Sequence, residues 1–439
     1  MPRGRGSLLK VMMNGQLVGR LHAARRGLLT FSYAESWLSS EAGRPISLSM
    51  PLAGRQFSGH VVENFFDNLL PDSQSIRGRL QARVGAESSR CFDLLTHIGR
   101  DCVGALQLLP EDEDADVRCI RATPLSEQAI ETILQNYRTM PLGIDVEADF
   151  RISIAGAQEK TAFLFYAKQW CRPQGATPTS HLFKLPIGNL GQSGIDLSES
   201  VENEWLCHHI LRAFGLPVAT AEMGSFGSQK VLIIERFDRK WADDGTWLMR
   251  LPQEDMCQAT GVPGHLKYES DGGPGMKEIT DILLGSSNGY VDRRNFMKAQ
   301  LLFWMLGAID GHAKNFSIFH LRGGIFHRTP LYDVISAYPL AAKRQIDKQR
   351  LRMAMAVLGK NRHYRWDTIS RRHWLTTAAA CRFPREEMSR IIEECCDIAT
   401  TVVDQAGAAL PPSFPLPIAE AIFSGLASAR ERLGSGLNS

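Results

Sequence analysis

Residues 301–316 read LLFWMLGAIDGHAKNF. An apolar run with helical character stops at Asp310-Gly311-His312-Ala313-Lys314-Asn315, a string of small and polar residues that the end of a buried helix would present to a cleft. Further on the chain reads Pro330-Leu331-Tyr332-Asp333-Val334-Ile335-Ser336, with one acid, eighteen positions after Asn315, among apolar neighbours. A carboxylate in such a setting needs a partner, because burying it unpaired is costly. Taken singly, the first stretch also reads as an Asp-Gly turn on the surface and the second as an Asp capping the next turn.

Together they suggest more. The interval from Asp310 to Asn315 is that of the protein-kinase catalytic loop D-x-x-x-x-N, in which Asp accepts a hydroxyl proton and Asn binds magnesium. Asp333 then suits a second magnesium ligand, since Mg²⁺ favours one or two carboxylates completed by phosphate oxygens and water.

Such a site also needs cations for ATP phosphates. Lys184 in SHLFKLPI is a lone lysine on a short strand, and Glu202 and Glu204 stand on the helix that follows. Glu204 is the preferred partner, as in the kinase strand-lysine and helix-glutamate pair. Ile154-Ala155-Gly156-Ala157-Gln158-Glu159-Lys160-Thr161 supplies small residues whose backbone N–H groups could meet phosphate, although its spacing is not that of a Walker A loop. Alone it reads equally as a hairpin turn. The strand VLIIERFDR would bring Glu235-Arg236-Phe237 to adenine as a hinge, or end as a strand with solvated charges.

The rest of the chain sets bounds. With 439 residues, 44% hydrophobic and 22% charged, it has the composition of a folded protein of two or more domains. No apolar run has the length of a spanning helix and no signal-peptide pattern opens the sequence, so a cytoplasmic protein without membrane attachment is expected. Nine cysteines without a C-x-x-C pair suit free thiols, and neither H-E-x-x-H nor another structural metal pattern occurs. Residues 1–110 mix short strands with helices as a small α+β unit, and the acidic stretch from Glu111 to Asp116 marks a boundary. Residues 111–238 are strand-rich and residues 239–439 show helical periodicity. The predicted fold is α+β: a β-rich amino-terminal lobe and an all-helical carboxy-terminal lobe, as in eukaryotic protein kinases. The helix ESVENEWLCHHILRAF should stop at Gly215, ahead of Pro217.

FRISIAGAQEKTAFL, HLFKLPIG, ERFDRKW, LRLPQEDMCQ, KYESDGGPG, GAIDGHAKNFSIF and YDVISA, with NFFDNLLPDS and FDLLTHIGRD, closely resemble the HipA family, the serine/threonine kinase toxins of HipA/HipB toxin–antitoxin systems. The resemblance runs over nearly the whole chain. It implies the two-lobed kinase-like fold, ATP and Mg²⁺ as cofactors, Asp310 as catalytic base, and Asn315 and Asp333 as magnesium ligands. It further implies a nucleotide loop from Ala155 through Gly156, Ala157, Gln158 and Glu159 to Lys160, phosphate contact by Lys184, and a hinge around Glu235, Arg236 and Phe237. His312, Ala313, Lys314 and Tyr332 complete the implied nucleotide surface. Ser153 corresponds to a serine whose autophosphorylation shuts the kinase off; about two added negative charges beside a phosphate loop would repel ATP. The resemblance also implies growth arrest through a glutamyl-tRNA synthetase as substrate, and a HipB-like helix-turn-helix antitoxin that takes the pair to operator DNA, with contact near Arg382.

The overall charge of +3 conceals an asymmetry: residues 341–390 hold 13 Lys+Arg against 4 Asp+Glu, a local net of +9. A basic block is a solvated face or a footprint for a phosphate backbone. Ala379 stands where the family pattern can carry lysine, which weakens direct DNA contact. Two other classes stay open on the sequence: a DNA-associated regulatory subunit with little kinase activity, and a small-molecule phosphotransferase. The second shares Asp310 and Asn315 but not the flanking segments.

Overall fold

The computed structural model describes residues 8–24, 28–136, 144–145, 150–151, 155, 158, 160–190 and 194–434. The chain divides into two compact units. The first comprises Met1–Leu185, Gly224–His265 and Ser317–Phe326; the second comprises Pro186–Met223, Leu266–Phe316 and His327–Ser439. Chain order and compact units therefore differ: segments well past residue 239 return to the first unit.

Within the first unit, the amino-terminal sheet has the antiparallel order Gln56–Ser58, Leu29–Tyr33, Gln16–Ala23, Leu8–Met13, Leu106–Pro110. Asn14-Gly15 makes the first turn with both residues at positive φ (48° and 83°), the conformation that two-residue hairpins require. Leu9, Val11 and Met13 alternate inward against Val62, Phe65 and Phe66 of the helix His60–Asp67 and Leu94 and Leu95 of the helix Cys91–Ile98. The acidic stretch is stitched to this layer instead of hanging free: Glu111 pairs with Arg20, Glu113 with Arg100, and Asp114 with Lys10.

A second sheet of the first unit carries, side by side and antiparallel, Gln229–Glu235, His181–Lys184, Lys160–Tyr166, Gln169–Pro173 and Ala122–Pro124. Phe163, Phe183 and Val231 point to one face, covered by Ile130 and Leu134 of the helix Glu127–Gln135. By the two-residue period, Lys160 and Lys184, which pair across neighbouring strands, share the other face.

A buried charge network joins the two layers of this unit. Asp101 accepts from Arg239 at 2.9 Å, from Arg250 at 3.0 Å and from Thr179 Oγ1 at 2.8 Å. Arg236 spans Asp238 (3.0 and 2.8 Å), Thr179 and the Cys102 carbonyl. Burial alone would raise the Asp101 pKa, but the guanidinium groups of Arg239, Arg250 and Arg236 overcome it and hold the carboxyl well below its ordinary range.

In the second unit the helix Gly289–Met305 is apolar along its carboxy-terminal half and buried from Phe296 through Met305. Around the long helix Arg385–Ala408 pack Ser200–Ala213, Gly289–Met305, Arg371–Ala380 and Leu416–Gly434. The helix Ser200–Ala213 ends as expected, with Gly215 at φ 82°.

The region after residue 239 is not all-helical. Arg352–Leu358 and Arg362–Arg365 form an antiparallel hairpin in the second unit, and Gln253–Asp255 pairs with Ser317–His320 in the first. RMAMAVL is a short apolar run of helix-forming residues, for which periodicity cannot separate helix from buried strand. The turn at Gly359-Lys360-Asn361 and packing on the helix Arg371–Ala380 decide for strand.

The buried end of Gly289–Met305 is closed from outside itself. Ser336 Oγ donates to the Leu306 carbonyl at 2.6 Å, Tyr338 Oη to the Met305 carbonyl at 3.1 Å, and the Ala337 N–H to the Gly307 carbonyl at 2.9 Å. Gly307 has φ 60° and lies against the Tyr338 ring, where a Cβ would stand 3.0 Å from ring carbons. Asn203, from the helix Ser200–Ala213, then brackets Ser336: its Nδ2 donates to the Ser336 carbonyl and its Oδ1 accepts from the Ser336 N–H, both at 2.8 Å.

Two stability outcomes are expected. Replacing Asp101→Asn leaves buried arginines undercompensated and should cost about 3–5 kcal/mol at pH 7 by chemical denaturation. Because the folded-state pKa is depressed, wild-type Asp101 contributes stability above about pH 4 that is lost as pH falls further; the variant should lack that part of the acid slope in melting temperature. Asn203→Ala strips both backbone partners from Ser336 and should cost about 2–4 kcal/mol in the same assay.

Candidate functional site

The residues singled out from the sequence fall into one set in each unit. In the second unit, the helix Gly289–Met305 delivers the chain through Gly307 to Asp310. Gly311 packs so closely on Phe303 that a Cβ would stand 2.5 Å from its ring, which fixes the loop against the helix it leaves. A 3₁₀ turn, Ala313–Asn315, follows, with the Asn315 N–H donating to the His312 carbonyl at 2.9 Å. Asn315 is buried, and its amide nitrogen donates to the Asp310 carbonyl at 2.7 Å and to the Asp333 carbonyl at 3.4 Å. One side chain thus ties together the two carboxylate-bearing residues. With the amide nitrogen committed, Oδ1 is the Asn315 atom suited to a cation.

Asp333 is half-buried and has φ 60°, the left-handed region that non-glycine residues seldom occupy. Its neighbours hold it there: Leu331 exchanges backbone bonds with Pro217 and Ala219, and Ser336 is bracketed by Asn203. The Tyr332 hydroxyl donates to the Lys314 carbonyl at 2.8 Å, which joins the two segments a second time. Ala313 and Lys314 are buried. Asp310 presents its carboxylate outward, over half exposed. His312 is buried, its Nε2 lying 3.9 Å from Asp310 Oδ2; burial pushes the imidazole below its ordinary pKa, with the Asp310 carboxylate opposing. It is therefore neutral near pH 7.

Sequence reasoning missed Tyr268, whose hydroxyl donates to Asp310 Oδ1. It lies in KYESDGGPG, and neither spacing nor residue type singles it out. Asn203 was likewise missed, since an asparagine within a helix carries no signal of a distant backbone partner. Glu204, the preferred lysine partner, lies buried on the same helix in the second unit, 3.8 Å from His208 Nε2.

In the first unit, Lys184 is buried on its strand directly across from Lys160. Gln158 donates to the Leu185 carbonyl at 2.5 Å, and Ala155 is half-buried. Ser153, Gly156, Ala157 and Glu159 lie outside the described residues. At the expected hinge, Glu235 is exposed, and Phe237 is half-buried with its ring edge-on to Phe319, centroids 5.8 Å apart. The Arg236 side chain is turned into the buried charge network, its N–H donates to the Ser180 carbonyl, and its carbonyl accepts from the Arg239 N–H.

The basic segment is offset in part, four of its basic residues meeting acids that lie outside it. Arg382, exposed and at φ 51°, meets Asp281 at 2.6 Å; Arg371 pairs with Glu393, Arg390 with Glu387, Arg365 with Asp367 and Lys343 with Glu199. Among the described residues, no group of three His, Cys, Asp or Glu could hold a metal ion, and no helix is long and apolar enough to cross a membrane.

Comparison with known proteins gives the family. Residues 9–109 match the HipA N-terminal domain and residues 152–403 the HipA-like C-terminal domain. Y4mE of Sinorhizobium fredii, which carries a kinase name, is 35% identical over 76% of this chain and 78% of its own length. The serine/threonine-protein kinase toxin HipA of Shewanella oneidensis is 26% identical over 75% of both chains. Among solved structures, HipA from the Shewanella oneidensis complex of HipA, HipB and operator DNA matches with a TM-score of 0.80 at 22% identity, covering 97% of each chain, and shows the same mixed α/β fold. With both domain models matched in order over most of its length, the chain belongs to the HipA family.

Proposed function

We propose that this chain is an ATP-dependent serine/threonine protein kinase and the toxin of a toxin–antitoxin pair, on a two-lobed kinase-like plan. The observation that carries the reading is the Asn315 amide, which binds together the backbones of Asp310 and Asp333, five residues before it and eighteen after. A kinase requires a base and a cation-holding carboxylate kept in fixed relation, and positioning accounts for most of phosphoryl-transfer catalysis.

Asp310 is the base. The acceptor Ser or Thr hydroxyl gives its proton to the Asp310 carboxylate while its oxygen bonds to the γ-phosphorus, and the bond from that phosphorus to the bridging oxygen of ADP breaks. Asn315 Oδ1 and the Asp333 carboxylate are both hard oxygen donors, the donor type magnesium prefers, and would hold the ion. Bound Mg²⁺ supplies neutralisation of charge on the β- and γ-phosphates. Lys184 and Lys160 would take up phosphate charge, which fits their placement on one sheet face. Glu235 and Phe237 would hold adenine, and Ala155, Gln158, His312, Ala313, Lys314 and Tyr332 would line the nucleotide with Gly156, Ala157 and Glu159.

Autophosphorylation of Ser153 would oppose ATP binding by charge. The reading extends to glutamyl-tRNA synthetase as acceptor, to a cytoplasmic location, and to a HipB-like antitoxin that brings the chain to operator DNA. The fold likeness to a HipA solved with HipB and operator DNA supports that partner. The Arg382–Asp281 pair leaves Arg382 less charge to give a phosphate backbone, so DNA contact would be made chiefly through the antitoxin.

The test is Asp310→Gln. Purified wild-type protein should transfer labelled phosphate from ATP and arrest growth when expressed without its antitoxin; the variant should lose both, with transfer reduced at least about a hundredfold, as for removal of a general base. Phosphopeptide mass spectrometry after brief induction should find Ser153 and the acceptor protein modified only with the wild type. Undiminished transfer by Asp310→Gln would falsify the base assignment.

A further inference from the structure

Asp310 leaves a turn with its carboxylate largely in solvent, where such a side chain ordinarily samples several rotamers. Its function demands a single one. His312 Nε2 stands 3.9 Å from Oδ2, beyond hydrogen-bond reach, so the imidazole does not fix the carboxylate. Tyr268 does, through its hydroxyl on Oδ1.

Tyr268 is itself held from three sides. Its ring meets the buried His312 ring edge-on, with centroids 5.1 Å apart and planes at 87°. The carbonyl of the preceding Lys267 accepts from the Ala313 N–H at 3.2 Å, which fastens the strand of chain before Tyr268 to the catalytic loop. The carboxylate of the following Glu269 accepts from the Ala356 N–H at 2.5 Å and lies 3.4 Å from Arg362. The tyrosine is thus part of a fixed frame, and what it touches at its tip is the proposed base.

We propose that Tyr268 is a positioning residue for phosphoryl transfer: its O–H occupies Asp310 Oδ1 and sets the carboxylate so that Oδ2 receives the proton of the attacking hydroxyl. The inference rests on the kinase reading above. It accounts for a tyrosine placed with its hydroxyl on an exposed acid, where water would otherwise serve. It also separates two roles the geometry could give that hydroxyl. A phenol that orients the base accelerates transfer; a phenol that merely occupies the acceptor's place competes with it, and its removal speeds transfer.

The experiment uses full-length wild type, Tyr268→Phe and Asp310→Gln, with Mg²⁺ and ATP, reading ADP formation against ATP concentration. This readout registers transfer to any acceptor, water included. Tyr268→Phe should lower kcat about tenfold or more, the scale of one hydrogen bond to a charged group, with the KM for ATP within about twofold of wild type and an unchanged melting temperature. A kcat equal to or above wild type in Tyr268→Phe, beside an inactive Asp310→Gln, overturns the role of Tyr268 and leaves the kinase reading standing. A raised KM with unchanged kcat overturns it as well, because the tyrosine would then act on nucleotide binding. Activity retained in Asp310→Gln overturns the base assignment and this inference with it.

Discussion

A helix that ends inside a protein must find donors for its last carbonyls without water, and this requirement shapes the second unit. Three consecutive residues, Ser336 through Tyr338, answer the carbonyls of Met305, Leu306 and Gly307. That obligation runs the YDVISAY segment past the end of the helix from which the catalytic loop departs. Asp333 therefore comes within reach of Asn315, and one amide can join it to Asp310. The architecture of the site is a consequence of how a buried helix is closed.

The first unit is organised by a different constraint. Asp101 and Asp238 face Arg236, Arg239 and Arg250 away from solvent, an arrangement that survives only because carbonyls of Cys102, Gly104 and Ala176 share the guanidinium donors. Buried ions of this kind add little net stability over an apolar core, yet they tolerate few alternative geometries. The end of the strand Gln229–Glu235 and the Asp101 turn are fixed together, and Glu235 and Phe237 depart from that fixed point.

How much was legible depended on whether the signal was local. Gly215 before Pro217 and the apolar run ahead of Asp310 state their geometry in adjacent residues, and the fold follows them there. RMAMAVL does not, because a seven-residue apolar run lacks a period and its partner strand is what makes it a strand. Charge is non-local in the same way: the excess of residues 341–390 counts neighbours in sequence, and Asp281, Glu199, Glu269 and Glu393 offset part of it from elsewhere. Asp310, Asn315 and Asp333 could be found by spacing and chemistry. Tyr268 and Asn203 could not, since what marks them is a contact with residues 42 and 133 positions away.

The site separates rigidity from reactivity. A carboxylate that takes a proton must stay accessible to its substrate, and one that holds a cation must keep its oxygens for the ion, so neither can be buried to be fixed. The chain fixes their backbones instead. Asn315 is buried and reaches backbone oxygens, Gly311 is locked on Phe303, and Asp333 keeps a left-handed φ that would relax, at a gain of about 1–3 kcal/mol, were its flanks not tied. Placing the constraint on carbonyls leaves the carboxylates for chemistry. For Asp310, the remaining side-chain freedom is what the Tyr268 hydroxyl removes.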